Sequence, residues 1–385
     1  MKQLFHEQPQ RIHSVDILRG LVMVLMAIDH VRVYAGVPAG GYTADLFFTR
    51  WVTHFCAPTF AFFAGTSAFL YGRKIADKSR LMKFLLTRGL LLVILELTIV
   101  RFFWTFSLDY SSFVLAGVIW MLGWCMVLLS LFIRLKPYVI GIIGVLIIAF
   151  QQIFSHVPKL FPESMQSSVG SVWAFFYPSD FEPLGNIAVL YVLIPWVGIM
   201  MAGYGFGLIL LKKPALRDKI CLAIGLTAIV IFAIVGSRIV YYSNTPDNPM
   251  PLFFRLLNQS KYPPSQLYVL MTLGPIIALV PVVERVKGWL THILAVFGRV
   301  PMFYYLMHIL LIHISALIVN YLRDGATHQE WYTTAPFAQV PETNRWPLSL
   351  LYLVFLVDVV ILYVKCSWYA KYKEAHSEKG WLKYL

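Results

Sequence analysis

Hydrophobic residues come in long blocks along this chain, and the polar residues gather between them. LVMVLMAI at 21–28 is one such block. A helix that crosses a bilayer needs ~20 mostly apolar residues. That length predicts ten spans, at 14–34, 51–71, 84–105, 112–133, 138–155, 186–211, 219–241, 265–283, 300–322 and 346–366. The expected fold class is therefore all-α: a polytopic integral membrane protein of about ten transmembrane helices. No large polar segment interrupts the set. Residues 1–385 read as one transmembrane domain, with 1–13 as a cytoplasmic N-terminal segment and 367–385 as a cytoplasmic tail.

Composition narrows the reading further. The chain is 59% hydrophobic and 13% charged, with a mean hydropathy of +0.69. Soluble proteins carry about 25% charged residues, so too few are present here to coat a water-soluble surface. The net charge of +13 sits mostly in alternate connections. GRKIADKSRLMK at 72–83 holds Arg73, Lys74, Lys78, Arg80 and Lys83; the 134–136 turn holds Arg134 and Lys136. KKPALRDK at 212–219 and the 284–287 turn are basic too, and so is the tail. Lys and Arg collect in cytoplasmic loops, which predicts both termini inside and a multi-pass protein of a plasma (bacterial inner) membrane. Charge spent on topology argues against a nucleic-acid partner. Cys56, Cys125, Cys221 and Cys366 show no paired spacing, so neither a disulfide framework nor a zinc site is indicated. The first apolar stretch has no small-residue cleavage site after it and reads as a retained helix rather than a signal peptide.

Ionisable residues inside apolar blocks are costly and mark candidate sites. In HSVDILRG, Ser14 is the expected N-cap, Asp16 lies in the first turn, and Arg19 is placed for an i,i+3 pair with Asp16. His30 follows Arg19 by eleven residues, about three turns, so both lie on one stripe. Asp29 and His30 fall near the outer end of the first helix, and His54 of RWVTHFCAPTF near the outer end of the second. The functional expectation is that His30 or His54 acts as general base, with Asp29 holding an imidazole in its working tautomer. The plainer alternative is a helix capped by polar residues at both interfaces.

These motifs carry a resemblance. The S-x-D-x-x-R-G start with a His eleven residues after the Arg is similar to the opening of transmembrane acyltransferases, including the acyltransferase-3 enzymes. HFCAPTFAFFAGTSAFLYGRK, FLLTRGLLLVILELTIV and the late FGRVPMFYYLMHILLIH resemble the heparan-alpha-glucosaminide N-acetyltransferase branch, in particular its bacterial members. The resemblance implies acetyl-CoA as acyl donor and a sugar or glycan hydroxyl or amine as acceptor, with His as base or transient acyl carrier. There are departures. The family's lysosomal member has Asn where Asp29 stands, its proposed catalytic His falls in a loop that here (35–50) contains none, and His54 stands where it has Asp.

Further polar residues complete the candidate set. Arg88 and Glu96 share a broad face of the third span, where Arg101 or Arg19 is the expected partner of the acid. Arg299 precedes the ninth span as a candidate phosphate contact. His308 and His313 lie five residues apart within that span, so one is expected to reach the cavity and the other to pack. That spacing does not suit a helical zinc motif, and no metal is expected. Asp358 stands alone in the last span. Arg19, Arg88, Glu96, Arg299, His308 and His313 are the expected substrate- or cofactor-binding residues. Partners are expected to be the lipid bilayer and a glycan acceptor, with a homodimer allowed. A proton-coupled transporter or flippase for an anionic solute or lipid-linked sugar is the competing function, though no inverted repeat is visible.

Overall fold

The computed structural model describes residues 12–41, 43–75, 77–178, 186–243, 250–376 and 378–383. Most of the expected N-terminal segment (1–11) and the last two residues of the tail lie outside them.

All ten apolar stretches contain helix. α1 is His13–Tyr34. A short α2 (Ala44–Trp51) and a tight turn at Val52–Phe55 lead into α3 (Cys56–Ile75). α4 (Lys78–Leu95) runs into a widened π turn at Glu96–Val100 and then α5 (Arg101–Thr105). α6 (Val118–Phe132) and α7 (Pro137–Ala149) follow, then α8 (Glu163–Trp173). α9 is Leu193–Leu210, α10 Pro214–Tyr242, α11 Leu252–Leu257 and α12 Gln266–Arg285. α13 (Trp289–Arg299), α14 (Pro301–Asp324) and α15 (Leu348–Ala375) close the chain.

Six of these helical segments among the described residues are long and apolar enough to cross a membrane, and α7 with the turn after it forms a further pair bent by 75°. The other three expected spans, α1, α4 and α6, are helices with a reason to differ. α1 and α4 carry charged residues along their length, and α6 is only 15 residues long. Its expected first turn is instead strand β1 (Val114–Ala116), paired in parallel with β2 (Ile187–Val189), Val114 opposite Ile187. Ile234, Val360, Ile94 and Leu131 are among the apolar side chains left more than half exposed. An apolar belt of that extent suits lipid rather than water.

Helix ends follow local chemistry, with one correction. Asp77 caps α4 by accepting from the backbone N–H groups of Ser79 and Arg80. Ser14, expected to cap α1, is already inside it. The cap position is Ile12, and the N–H of Ser14 donates to Glu284 Oε2 at 2.9 Å, so a carboxylate from α12 does the capping. Asp16 and Arg19 do meet, at 4.0 Å.

α1 is the axis of the molecule, touching α3, α12, α13, α14 and α15. Its closest neighbour is α13, an amphipathic helix that the span count left as a connection. Glycines permit the approach: a β-carbon on Gly20 would stand 1.8 Å from the carbonyl oxygen of Leu294, and one on Gly298 1.9 Å from that of Asp16. Small residues let membrane helices pack backbone against backbone. The basic connections meet in pairs. Lys78 Nζ donates to the Arg134 carbonyl at 2.8 Å, and Arg285 reaches Asp218 at 2.6 Å.

Candidate active site

Two cavities open from opposite ends of the bundle. The one at the basic end holds about 780 Å³, and its lining includes Arg19, Lys74, Arg88, Arg299 and Lys373. The other holds about 370 Å³, and Asp29, His30, Arg50, His54, Glu96 and Lys261 line it. Met26, Phe60, Val118 and Tyr305 line both, so the two cavities adjoin across these four side chains, which form the boundary, or throat, between them.

His30 stands one turn from the end of α1 and stacks on His308 of α14, with ring centroids 4.8 Å apart. His30 Nδ1 lies 2.7 Å from His308 Nε2, and His308 Nδ1 lies 3.1 Å from the carbonyl oxygen of Tyr304. A carbonyl oxygen only accepts. In the neutral pair, His308 therefore carries its proton on Nδ1 and offers the Nε2 lone pair to the Nδ1–H of His30. His30 Nε2 is left with a lone pair and no hydrogen-bond partner among the described residues. Trp104 meets the His30 ring edge-on at 4.8 Å, and Tyr304 Oη ties α14 to the Met23 carbonyl of α1 at 2.9 Å.

His54 shows the same arrangement by another route. Its Nδ1 lies 3.3 Å from the Arg50 carbonyl, and its buried Nε2 has no partner among the described residues. Tyr268 Oη donates to the His54 carbonyl at 2.7 Å and holds the turn in place. Asp29 does not do what was expected of it. Its carboxylate accepts from Arg32 Nε at 2.8 Å, while Arg32 Nη1 donates to the Val37 carbonyl and straps the turn at 36–38 to α1. The imidazole is oriented by His308 instead.

Of the remaining expected site residues, Arg19, Arg88, Arg299 and Glu96 divide between the two cavities. Arg19 and Arg88 line the basic cavity, Arg19 donating to Ser67 Oγ at 2.6 Å and to the Phe63 carbonyl. Arg299 lines it too, its buried Nε lacking a partner among the described residues. Glu96 faces the other cavity, so it and Arg88 do not share one site. Its partner is neither Arg101 nor Arg19: the backbone N–H groups of Ile119, Trp120 and Gly117 at the start of α6 face its carboxylate. Arg101 is spent on the carbonyls of Phe113, Ser107 and Asp109. Neither histidine of α14 lines a cavity: His308 is buried behind His30, which it orients, and His313 packs with its ring nitrogens on the Phe103 carbonyl and on Gln329. Asp358 accepts from Ser315 at 2.8 Å, away from both cavities.

Sequence reading missed Arg50, Lys261, Trp104 and Tyr305. Arg50 lies four residues before His54 and was legible by helical spacing. Lys261 comes from a loop and carried no signal, yet its Nζ sits over the rings of Tyr262 and Tyr191 at the cavity wall.

A helical membrane protein with a histidine-bearing cavity set back to back with a basic one is the class these features define. The family can then be stated. The model of the heparan-alpha-glucosaminide N-acetyltransferase catalytic domain matches residues 11–246, and the chain belongs to that family. No curated protein matches the chain. The matched part contains His30, His54, Arg19, Arg88 and Glu96, while His308, Tyr305, Lys261 and Arg299 lie beyond it.

Proposed function

We propose that this protein is a membrane-embedded acetyltransferase that takes acetyl-CoA at its basic end and acetylates a hydroxyl or amine of a sugar or glycan at the other. The observation that carries the reading is the His30–His308 pair, which leaves an imidazole lone pair in a cavity that adjoins an arginine-rich cavity across four shared side chains. Family membership supports the reaction class. The basic end faces the cytoplasm by the positive-inside rule, both termini lie there, and ten spans cross a bacterial inner membrane.

The chemistry follows from the side chains. Arg19, Arg88 and Arg299 attract the phosphates of the donor, a role for which guanidinium is well suited. The thioester passes the throat toward His30. His30 Nε2 takes the proton of the acceptor hydroxyl or amine as that group attacks the acetyl carbonyl, and returns it to the sulfur as the C–S bond breaks, so that CoA departs as thiol and the imidazole is neutral again. The imidazolium keeps its Nδ1–H on His308, so no reorientation accompanies the charge. The rings of Trp104 and Tyr262 at the cavity wall supply apolar faces on which a sugar ring can lie.

The test is purified protein in detergent with radiolabelled acetyl-CoA and glucosamine as a probe acceptor. Wild type is compared with His30→Ala and His54→Ala. CoA release that disappears in His30→Ala supports the assignment, and protein-bound label lost in the same variant would instead show His30 carrying the acetyl group itself. Loss only in His54→Ala transfers the base role to the second imidazole. A folded sample that binds no CoA sinks the reading in favour of a transporter, to be tested by solute uptake into vesicles. A further expected result concerns the donor side. Arg299→Ala raises the KM for acetyl-CoA about ten-fold with kcat kept, as loss of one charge-assisted contact predicts. An unchanged KM would remove Arg299 from the donor site.

A further inference from the structure

Glu96 is an acidic side chain of the smaller cavity, and its surroundings are unusual on three counts. It opens the π turn that interrupts the helix after α4, and such widened turns inside α-helices recur at functional sites. It is 1% exposed, and its Oε2 has no hydrogen-bond partner among the described residues. A buried carboxylate oxygen without a donor is costly, so a donor arriving with a ligand would relieve a standing penalty. It also lines the same cavity as Gly117, Val118 and Tyr305, and the last two of these belong to the throat itself.

The throat determines which ligand supplies that donor. If the nucleotide end of the acyl donor stays among the arginines while its thioester reaches His30, the part that lies in the throat is the pantetheine arm. That arm carries two secondary amides, each with one N–H. A carboxylate only accepts, and the N–H groups at the start of α6 hold it from the side of Gly117. The acceptor sugar remains with the imidazoles beyond. We infer that Glu96 binds the pantetheine arm of the acyl donor at the throat, its carboxylate accepting a hydrogen bond from an amide N–H. This inference rests on the acetyltransferase reading and adds to it a residue that measures the length of the donor.

Two variants test it independently. Glu96→Gln keeps the shape and removes the charge. Gly117→Ala keeps the charge and moves it, because a β-carbon there would stand 2.2 Å from Glu96 Oε1. The carboxylate is the end of a flexible side chain and can yield, and the backbone of Gly117 is in an extended conformation that alanine adopts. Binding of CoA and of adenosine 3′,5′-diphosphate, which lacks the arm, is measured by titration calorimetry on the full chain in detergent. Both variants are expected to bind CoA about ten-fold more weakly and the diphosphate as wild type does. CoA affinity unchanged in both variants overturns the inference. CoA and diphosphate affinities falling together also overturn it, since that is the result of a merely structural role at α6. Wild type that binds neither probe overturns the acetyltransferase reading, and the inference with it. Should Glu96→Gln fail to fold, Gly117→Ala decides by the same comparison.

Discussion

His30→Ala is expected to lower kcat for acetyl transfer by about 10²–10⁴-fold, the range general-base catalysis supplies, with the KM for acetyl-CoA little changed. The split follows from position. His30 lines the smaller cavity, and the arginines that hold the donor lie on the far side of the throat. His308 gives the second half of the test. It stacks on His30 and makes one hydrogen bond to it, at 2.7 Å, and by the tautomer argument it orients the base without meeting the acceptor. His308→Leu removes the lone pair that receives the Nδ1–H of His30, and the proton is then free to sit on either nitrogen. The expected loss is about ten-fold in kcat, the worth of one hydrogen bond. His308→Gln, whose amide oxygen can accept the same proton, restores part of it. Steady-state rates with labelled donor decide the matter. Wild-type turnover in His30→Ala would end the assignment, and equal losses in the Leu and Gln variants would reduce His308 to packing.

The second large effect concerns architecture. Gly298→Val is expected to prevent α13 from seating against α1, because its β-carbon meets the Asp16 carbonyl oxygen at 1.9 Å. No side-chain rotamer relieves a clash between β-carbon and backbone, so the helices themselves must separate. Overpacking a core ordinarily costs about 1–3 kcal/mol, and a backbone neighbour places this case at the upper end or beyond. α1 carries Arg19 into one cavity and His30 into the other, so displacing it disturbs both. The readout is thermal unfolding in detergent beside Gly288→Ala, whose β-carbon would meet nothing within 4 Å. The control is expected to melt with wild type and Gly298→Val well below it. Coincident melting of all three would show that α1 and α13 are not packed through their glycines.

Much of the site was present in the sequence as unusual residues in apolar blocks. Asp29, His30, His54 and Glu96 stand out because charge inside hydrocarbon is rarely kept without use, and all four line the smaller cavity. Their partnerships were not legible. Asp29 was expected to hold an imidazole, but at i,i+3 Arg32 is nearer and better shaped for a carboxylate. His308 was recognised as one of two candidates, yet nothing local says which of two histidines five residues apart turns inward. Glu96 was expected to find an arginine; it faces backbone N–H groups instead, which leave no trace in a sequence. α13 escaped the span count because its eleven residues are too few to cross a bilayer, although its apolar face packs along α1.

The sequence by itself determined that the chain is helical and lives in a membrane, where its apolar blocks fall, and which connections are basic. Those properties depend on the length of hydrocarbon a helix must cross and on the sign of the charges flanking it, and both are read one segment at a time. It also determined the family, through motifs spread over the first two thirds of the chain. Only the tertiary structure decided the site. His30 and His308 are 278 residues apart in the chain, and their contact depends on how closely α14 approaches α1. The throat likewise takes one residue each from α1, α3, α6 and α14. Contacts of that kind follow from how helix surfaces fit together, and hydropathy carries no record of that fit.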